Sequence, residues 1–330
     1  MSNQPPIEVP QGAIRLNTDS QKLEFFAQDR WYEFATDSPI LDGGARGLIG
    51  GGSDGRVNNI DFITVSTAGN GQDFGDLTQS RDQMGAAASR TRGIWGGGYT
   101  PSHTDRIDYV TISSLGDAID FGNLTQSRKD VDAVSSQTRA VWMAGRVTPS
   151  NKNTIDFVTI ASTGDAVDFG DMAAAGSNTA CYSSPTRGIS HNGSFPAALE
   201  FITIATTGNA IDFGEPAYER LNQGNGASSA TRGLALGGGT SETGIDFIEI
   251  ASLGNATKFG DLYNGTGDAA GLSDSIRGVL AGGRNPSPET NIIQYVNIST
   301  FGDSIDFGDL TYGNNSRSPG GLCNAHGGLG

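Results

Sequence analysis

Histidine, cysteine and tryptophan are scarce in this chain of 330 residues: three, two and three of them. His103, His191 and His326 fall in different stretches with no HxxxH or HxH spacing, which argues against zinc. Cys181 and Cys323 show no metal-ligand spacing either. They are expected to be two unpaired thiols in packed strands of a protein made in a reducing cytoplasm. No apolar run approaches the roughly 20 residues that cross a bilayer, so membrane insertion is not expected. The opening MSNQPPIEVPQG lacks the basic flank and apolar core of a signal peptide. Basic residues are outnumbered, 21 Lys and Arg against 36 Asp and Glu, for a formal net charge of −15. Such a surface repels phosphate and excludes nucleic acid as an expected partner. A sustained 3.6-residue apolar period is missing, which excludes a fold built on amphipathic helices.

What the chain has is glycine, 49 residues, and a phrase that keeps returning. It reads ARGLIGGG from Ala45, TRGIWGGG from Thr91, TRAVWMAG from Thr138, TRGISHNG from Thr186, TRGLALGG from Thr231 and IRGVLAGG from Ile276. Its arginines are Arg46, Arg92, Arg139, Arg187, Arg232 and Arg277, spaced by 46, 47, 48, 45 and 45 residues. A second phrase follows each time, from IDFITVS at Ile60 to IQYVNIS at Ile293. A glycine turn such as Gly69-Asn70 or Gly116-Asp117 comes next, then a third phrase: QDFGDL, IDFGNL, VDFGDM, IDFGEP, TKFGDL and IDFGDL.

Each phrase has the length and the Ile, Val, Phe, Tyr and Thr content of a strand. The Gly-Asn and Gly-Asp pairs predict tight hairpins between the second and third phrases. A weaker strand of small residues precedes each arginine, as at Gly85–Ser89 and Asp132–Ser135. Four short antiparallel strands per 45–48 residues is the period of a propeller blade. The order of a small-residue strand, a strand ending in Gly-Gly, a strand with an aromatic and a closing strand is similar to kelch repeats. The predicted fold is therefore all-β: a six-bladed kelch-like β-propeller over residues 41–330, preceded by a small N-terminal β-meander in residues 1–40. The tail Gly320–Gly328 reads as a first strand and the start of a second, and would complete the blade begun near Gly43. That removes two open sheet edges.

Within residues 12–36, Ile14–Asn17, Lys22–Phe26 and Trp31–Phe34 read as three strands of the meander. The pattern Gly-x-Ile-Arg-Leu-Asn-Thr-Asp-x-x-x-Lys-Leu-Glu-Phe followed by a Trp resembles the small N-terminal module of many tailed-phage virion proteins. The DFGDL-type blades resemble repeats of virion proteins from phages of aquatic bacteria. The resemblance implies a non-enzymatic virion component, a tail fibre or tail-associated protein assembled from host cytoplasm. Its module would bind another virion protein, and its propeller a partner or a host cell-surface glycan or protein. A head decoration or neck or baseplate protein is the alternative, and a glycan-active enzyme a more distant one.

No catalytic residue, cofactor or metal site emerges from the sequence. Asp61, Asp108, Asp156 and Asp246 recur in the second phrase, and Asp73, Asp120, Asp168, Asp212 and Asp306 in the third. Such rings could bind calcium, pair with the recurring arginines or cap turns, and repetition in every blade favours a structural role. The six arginines are expected to bridge blades through carboxylates or carbonyls. A site on a repeating ring must break the repeat, so partner-binding candidates are sought where it fails. These are Tyr99, His103, His191, Phe195, Tyr218 and Arg220, together with Trp31 and Tyr32 of the N-terminal module.

Overall fold

The computed structural model describes residues 9–17, 22–33, 45–53, 56–177, 179–193, 197–218, 225–239, 242–284, 290–312 and 319–329. The chain divides into two compact units, Met1–Leu41 and Asp42–Gly330. Every described element but one is a strand, the exception being a single 3-10 turn at Gly327–Leu329. Among the described residues no helix is long and apolar enough to cross a membrane.

The first unit holds three antiparallel strands in sequence order, β1 (Ile14–Asn17), β2 (Lys22–Ala27) and β3 (Arg30–Glu33). Gln28 and Asp29, at φ 49° and 59°, make the two-residue turn between β2 and β3. Positive φ at both positions matches the right-handed twist of the flanking strands. The register sets Ile14 opposite Phe25 and Phe25 opposite Tyr32, whereas Phe26 faces Trp31. Phe34 lies outside the described residues.

The second unit repeats one antiparallel sheet six times. Sheet 1 runs Gly320–Cys323, Arg46–Gly52, Val57–Thr64, Gln72–Asp76, so its first strand comes from the C-terminal end of the chain. Sheets 2 to 6 take four consecutive strands each, opening with Gly85–Ala88, Asp132–Ser135, Ala180–Ser183, Asn225–Ser228 and Ala270–Ser273. Sheet 3 gains a short extra strand, Arg146–Val147. The tail does not begin a second strand after Cys323, because Arg46–Gly52 already occupies that seat. It turns at Asn324 into the 3-10 turn instead.

Burial follows the repeat. Six apolar clusters fill the spaces between consecutive sheets, and the sixth lies between sheet 6 (Val279, Phe307) and sheet 1 (Ile49, Ile63). The six first strands touch one another in the same cyclic order. In every sheet the phenylalanine of the third phrase packs edge-on against the third-strand aromatic, as Phe74 does on Phe62 and Phe121 on Tyr109. Such pairs add about 0.5–1.5 kcal/mol beyond their buried area.

The glycine pairs do not sit where the sequence places them. The tight turn falls earlier, at Thr64–Thr67, where Thr67 N–H bonds Thr64 O. The Gly-Asn and Gly-Asp segments run extended and pair with the fourth strand of the preceding sheet. Gly116 N–H bonds Phe74 O at 2.9 Å and Ala118 N–H bonds Asp76 O at 2.7 Å. The pattern recurs around the unit and ends with Gly69 N–H on Phe307 O and Gly71 N–H on Asp309 O. Each exposed fourth-strand edge is thereby covered. The glycine of DFG permits the approach: at Gly75, φ +146°, an added Cβ would stand 2.5 Å from Gly116 O.

Candidate functional site

The six recurring arginines open the second strand of their sheets. Each guanidinium lies over the third-strand ring of its own sheet, for example Arg139 over Phe157 at 4.6 Å and Arg277 over Tyr295 at 4.5 Å. Each also donates to a carbonyl just past the third strand of the next sheet: Arg46 to Ile112, Arg92 to Ile160, Arg139 to Ile204, Arg187 to Ile250 and Arg232 to Ile298. Arg277 completes the cycle with a 3.0 Å bond to Val65 O of sheet 1. Their polar atoms are engaged in holding sheet to sheet.

The third-strand acids bond other partners than these arginines. Asp108 takes Thr78 and a buried Arg81, and Asp156 takes Thr125 and a buried Arg128, at 2.9 and 2.8 Å for the ion pairs. Asp61 accepts from Thr311, and Asp246 from Ala217 N–H. Sequence reasoning missed Arg81 and Arg128. The signal was present as the repeated Leu-Thr-Gln-Ser-Arg after two of the DFG phrases. Asp73, Asp120, Asp168, Asp212 and Asp306 stand exposed on the fourth strands. Among the described residues no three His, Cys, Asp or Glu side chains group as metal ligands.

The repeat-breaking residues scatter. Tyr99 and His103 come together, ring centroids 5.6 Å apart, with Arg56 and Lys129 against the Tyr99 ring at 4.8 and 5.0 Å. His103 Nε2 sits 3.2 Å from the Thr148 hydroxyl of sheet 3, so this loop cluster bridges two sheets. His191 is 2% exposed and presents no surface side chain, because its position in the second strand points inward as Met143 and Leu236 do. Tyr218 packs on Gly244, and Lys258, the odd cation of the fourth strands, pairs with Asp261 at 2.8 Å. Trp31 lies under Arg15 at 4.0 Å, on the face of its sheet opposite Tyr32. Phe195 and Arg220 lie outside the described residues.

Between the six first strands runs a cavity of about 80 Å³. At one end, serines recurring four residues before the arginines stitch neighbouring strands together. Ser135 Oγ donates to Ala88 O, Ser183 Oγ to Ser135 O and Ser273 Oγ to Ser228 O, at 2.9–3.1 Å. Across this end lie His326 and the 3-10 turn, whose Leu329 carbonyl accepts from Gln137 at 2.8 Å. The other end is flanked by Gln83 and Asp130, with Asp132, Thr179 and Asn225 just inside.

No protein-family model and no curated protein matches this sequence.

The chemistry of the cavity follows from its bonds. Ser135 Oγ and His326 Nε2 are 3.0 Å apart, the separation of a nucleophile and its base. Yet His326 Nδ1 accepts the Gly328 N–H at 3.0 Å, which places the ring proton on Nε2, where it faces Ala88 O at 3.0 Å. A protonated Nε2 cannot take the serine proton. Burial holds the imidazole down to about 4, against the Ala88 bond that favours its charged form. Asp132 lines the far end and is pushed by burial up to about 7, against bonds from Ala133 and Cys181 N–H that favour the carboxylate. Cys181, free and buried, has its thiol raised by burial first and the nearby Asp132 second.

Proposed function

We propose that the six sheets are the blades of a six-bladed β-propeller, joined by its C-terminal strand, and that the protein is a non-enzymatic binding component of a phage virion. The observation that carries the propeller is the cycle of sheet-to-sheet links. Backbone bonds, arginine–carbonyl bonds and apolar cores each run from sheet to sheet and return from sheet 6 to sheet 1. The recurring arginines and third-strand acids are engaged in bonds between sheets, which supports a scaffold over a catalyst. The virion assignment rests on the N-terminal pattern from Gly12 to Trp31 and on the DFGDL phrases. In this reading the module of β1–β3 binds another virion protein. The propeller meets a partner or host surface through the loop cluster of Tyr99 and His103, whose aromatic and cationic groups suit protein or sugar.

The test is saturable binding of labelled full-length protein to intact candidate host cells. Binding reduced at least fivefold by Tyr99→Ala, with the fold intact, supports the assignment. Absence of binding by a correctly folded protein turns the reading toward a structural joint within the particle.

A further inference from the structure

Six equivalent positions begin the six first strands: Gly85, Asp132, Ala180, Asn225, Ala270 and Gly320. Four are glycine or alanine, as crowding between the strands requires. Asp132 and Asn225 break that rule, and both line the central cavity. Asp132 spends one lone pair of each oxygen on backbone N–H groups, and Asn225 leaves a donor unpaired. Asn225 is 7% exposed, and its amide nitrogen has no hydrogen-bond partner. Asp132 accepts only backbone N–H groups, from Ala133 and Cys181 at 2.8 Å each. A buried donor left unpaired costs about 1–3 kcal/mol, so such a group is normally satisfied by water or by a ligand.

We propose that this cavity is a binding site for a small neutral ligand with adjacent hydroxyl groups, a short polyol or the polyol end of a larger molecule, held by Asp132, Thr179 and Asn225. A hydroxyl both donates and accepts, which matches a carboxyl acceptor and an amide donor lining the same cavity. An anion would face Asp132, with Asp130 beside it at the same end. A cation would meet a single carboxyl, each oxygen of which already accepts a backbone N–H. Size fits as well. One water needs about 10–15 Å³ and a benzene-sized cavity is about 150 Å³, so about 80 Å³ suits a few heavy atoms. His326 lies across one end of the site, bonded to Ser135 and Ala88. Its chemistry is the same whether or not the protein belongs to a virion.

Glycerol and erythritol titrated into the full-length protein provide the test, read by the backbone amide resonances of Ala133 and Cys181. Saturable shifts of these two amides in the millimolar range are expected. Asn225→Ala and Asp132→Asn are each expected to weaken binding at least fivefold while the other amides keep their positions. Uniform drift of all amides without saturation would show a solvent effect and overturn the proposal. So would undiminished binding in both variants, or saturation by Ca2+ in place of either polyol.

Discussion

Sheets 2 and 3 and sheets 5 and 6 carry the same repeat but fill their interfaces differently. In sheets 2 and 3 the second strand contributes Trp95 and Trp142, both fully buried, whose indole N–H groups bond Gly320 O and Gly85 O of the preceding sheet. The facing strand is reduced to glycine to admit the ring: a Cβ at Gly320 would stand 2.7 Å from Trp95, and one at Gly96 2.6 Å from Trp142. Sheets 5 and 6 place Ala235 and Leu280 at the same position, without an indole, and between sheets 4 and 5 the first strand of sheet 4 adds Tyr182 to the cluster that holds Ala235. The polar layer differs in parallel. Asp108 and Asp156 hold buried arginines, while Gln294 in sheet 6 makes neutral bonds to Asn264 and Ser304. Volume and hydrogen bonding are maintained across each interface, and which strand supplies them is not.

The contrast breaks most visibly at the buried tryptophans. Trp142→Ala is expected to destabilise by about 3–5 kcal/mol in denaturant unfolding, against about 1 kcal/mol for Ala235→Gly at the equivalent place. Equal losses would mean that the two interfaces share load regardless of filling. Asp156→Ala strands the buried Arg128 and should also cost about 3–5 kcal/mol, whereas the double change Arg128→Met with Asp156→Leu should recover most of it. Gln294→Ala should cost only about 1–3 kcal/mol. The seam is of similar size. Arg277→Ala, at the junction of sheets 6 and 1, and Arg139→Ala, between sheets 3 and 4, make the same two interactions. Each should lose about 1–3 kcal/mol. A markedly smaller loss at Arg277 would show that the seam is the looser junction.

The sequence made much of this legible. The three phrases mark the second, third and fourth strands, and the small-residue stretches at Gly85 and Asp132 mark first strands almost to the residue. The glycine pairs misled because Gly-Asn is a hairpin signal in isolation. Here the glycine and asparagine meet the neighbouring sheet, where Asn70 Oδ1 accepts Asp309 N–H at 3.1 Å, and no local rule reports a contact 239 residues away. Arg81 and Arg128 were hidden because only two of the repeats carry them. Asp132 and Asn225 escaped notice because one polar residue in a small-residue strand looks like a surface position until six such strands are seen to face each other.

The two ends of the central cavity offer the finest form of the comparison, since their titrating groups act in opposite directions. His326 stays neutral in the fold down to about pH 4, while an ordinary histidine gains its proton near 6.5. Between those values the unfolded chain binds more protons, so this group's contribution to stability is lost as pH falls. Asp132 keeps its proton up to about pH 7, while an ordinary aspartate releases it near 3.8. Between those values the folded chain binds more protons, so its contribution is lost as pH rises. Across roughly pH 4 to 6.5 the two slopes oppose, each at most about 1.4 kcal/mol per pH unit. Measured relative to wild type, Asp132→Asn should therefore gain stability progressively as pH rises through this window, and His326→Gln should lose it. One flat curve beside one sloping curve would mean that the flat group's end of the cavity exchanges freely with solvent. Flat curves for both would mean that the cavity is wet throughout and that burial sets neither group.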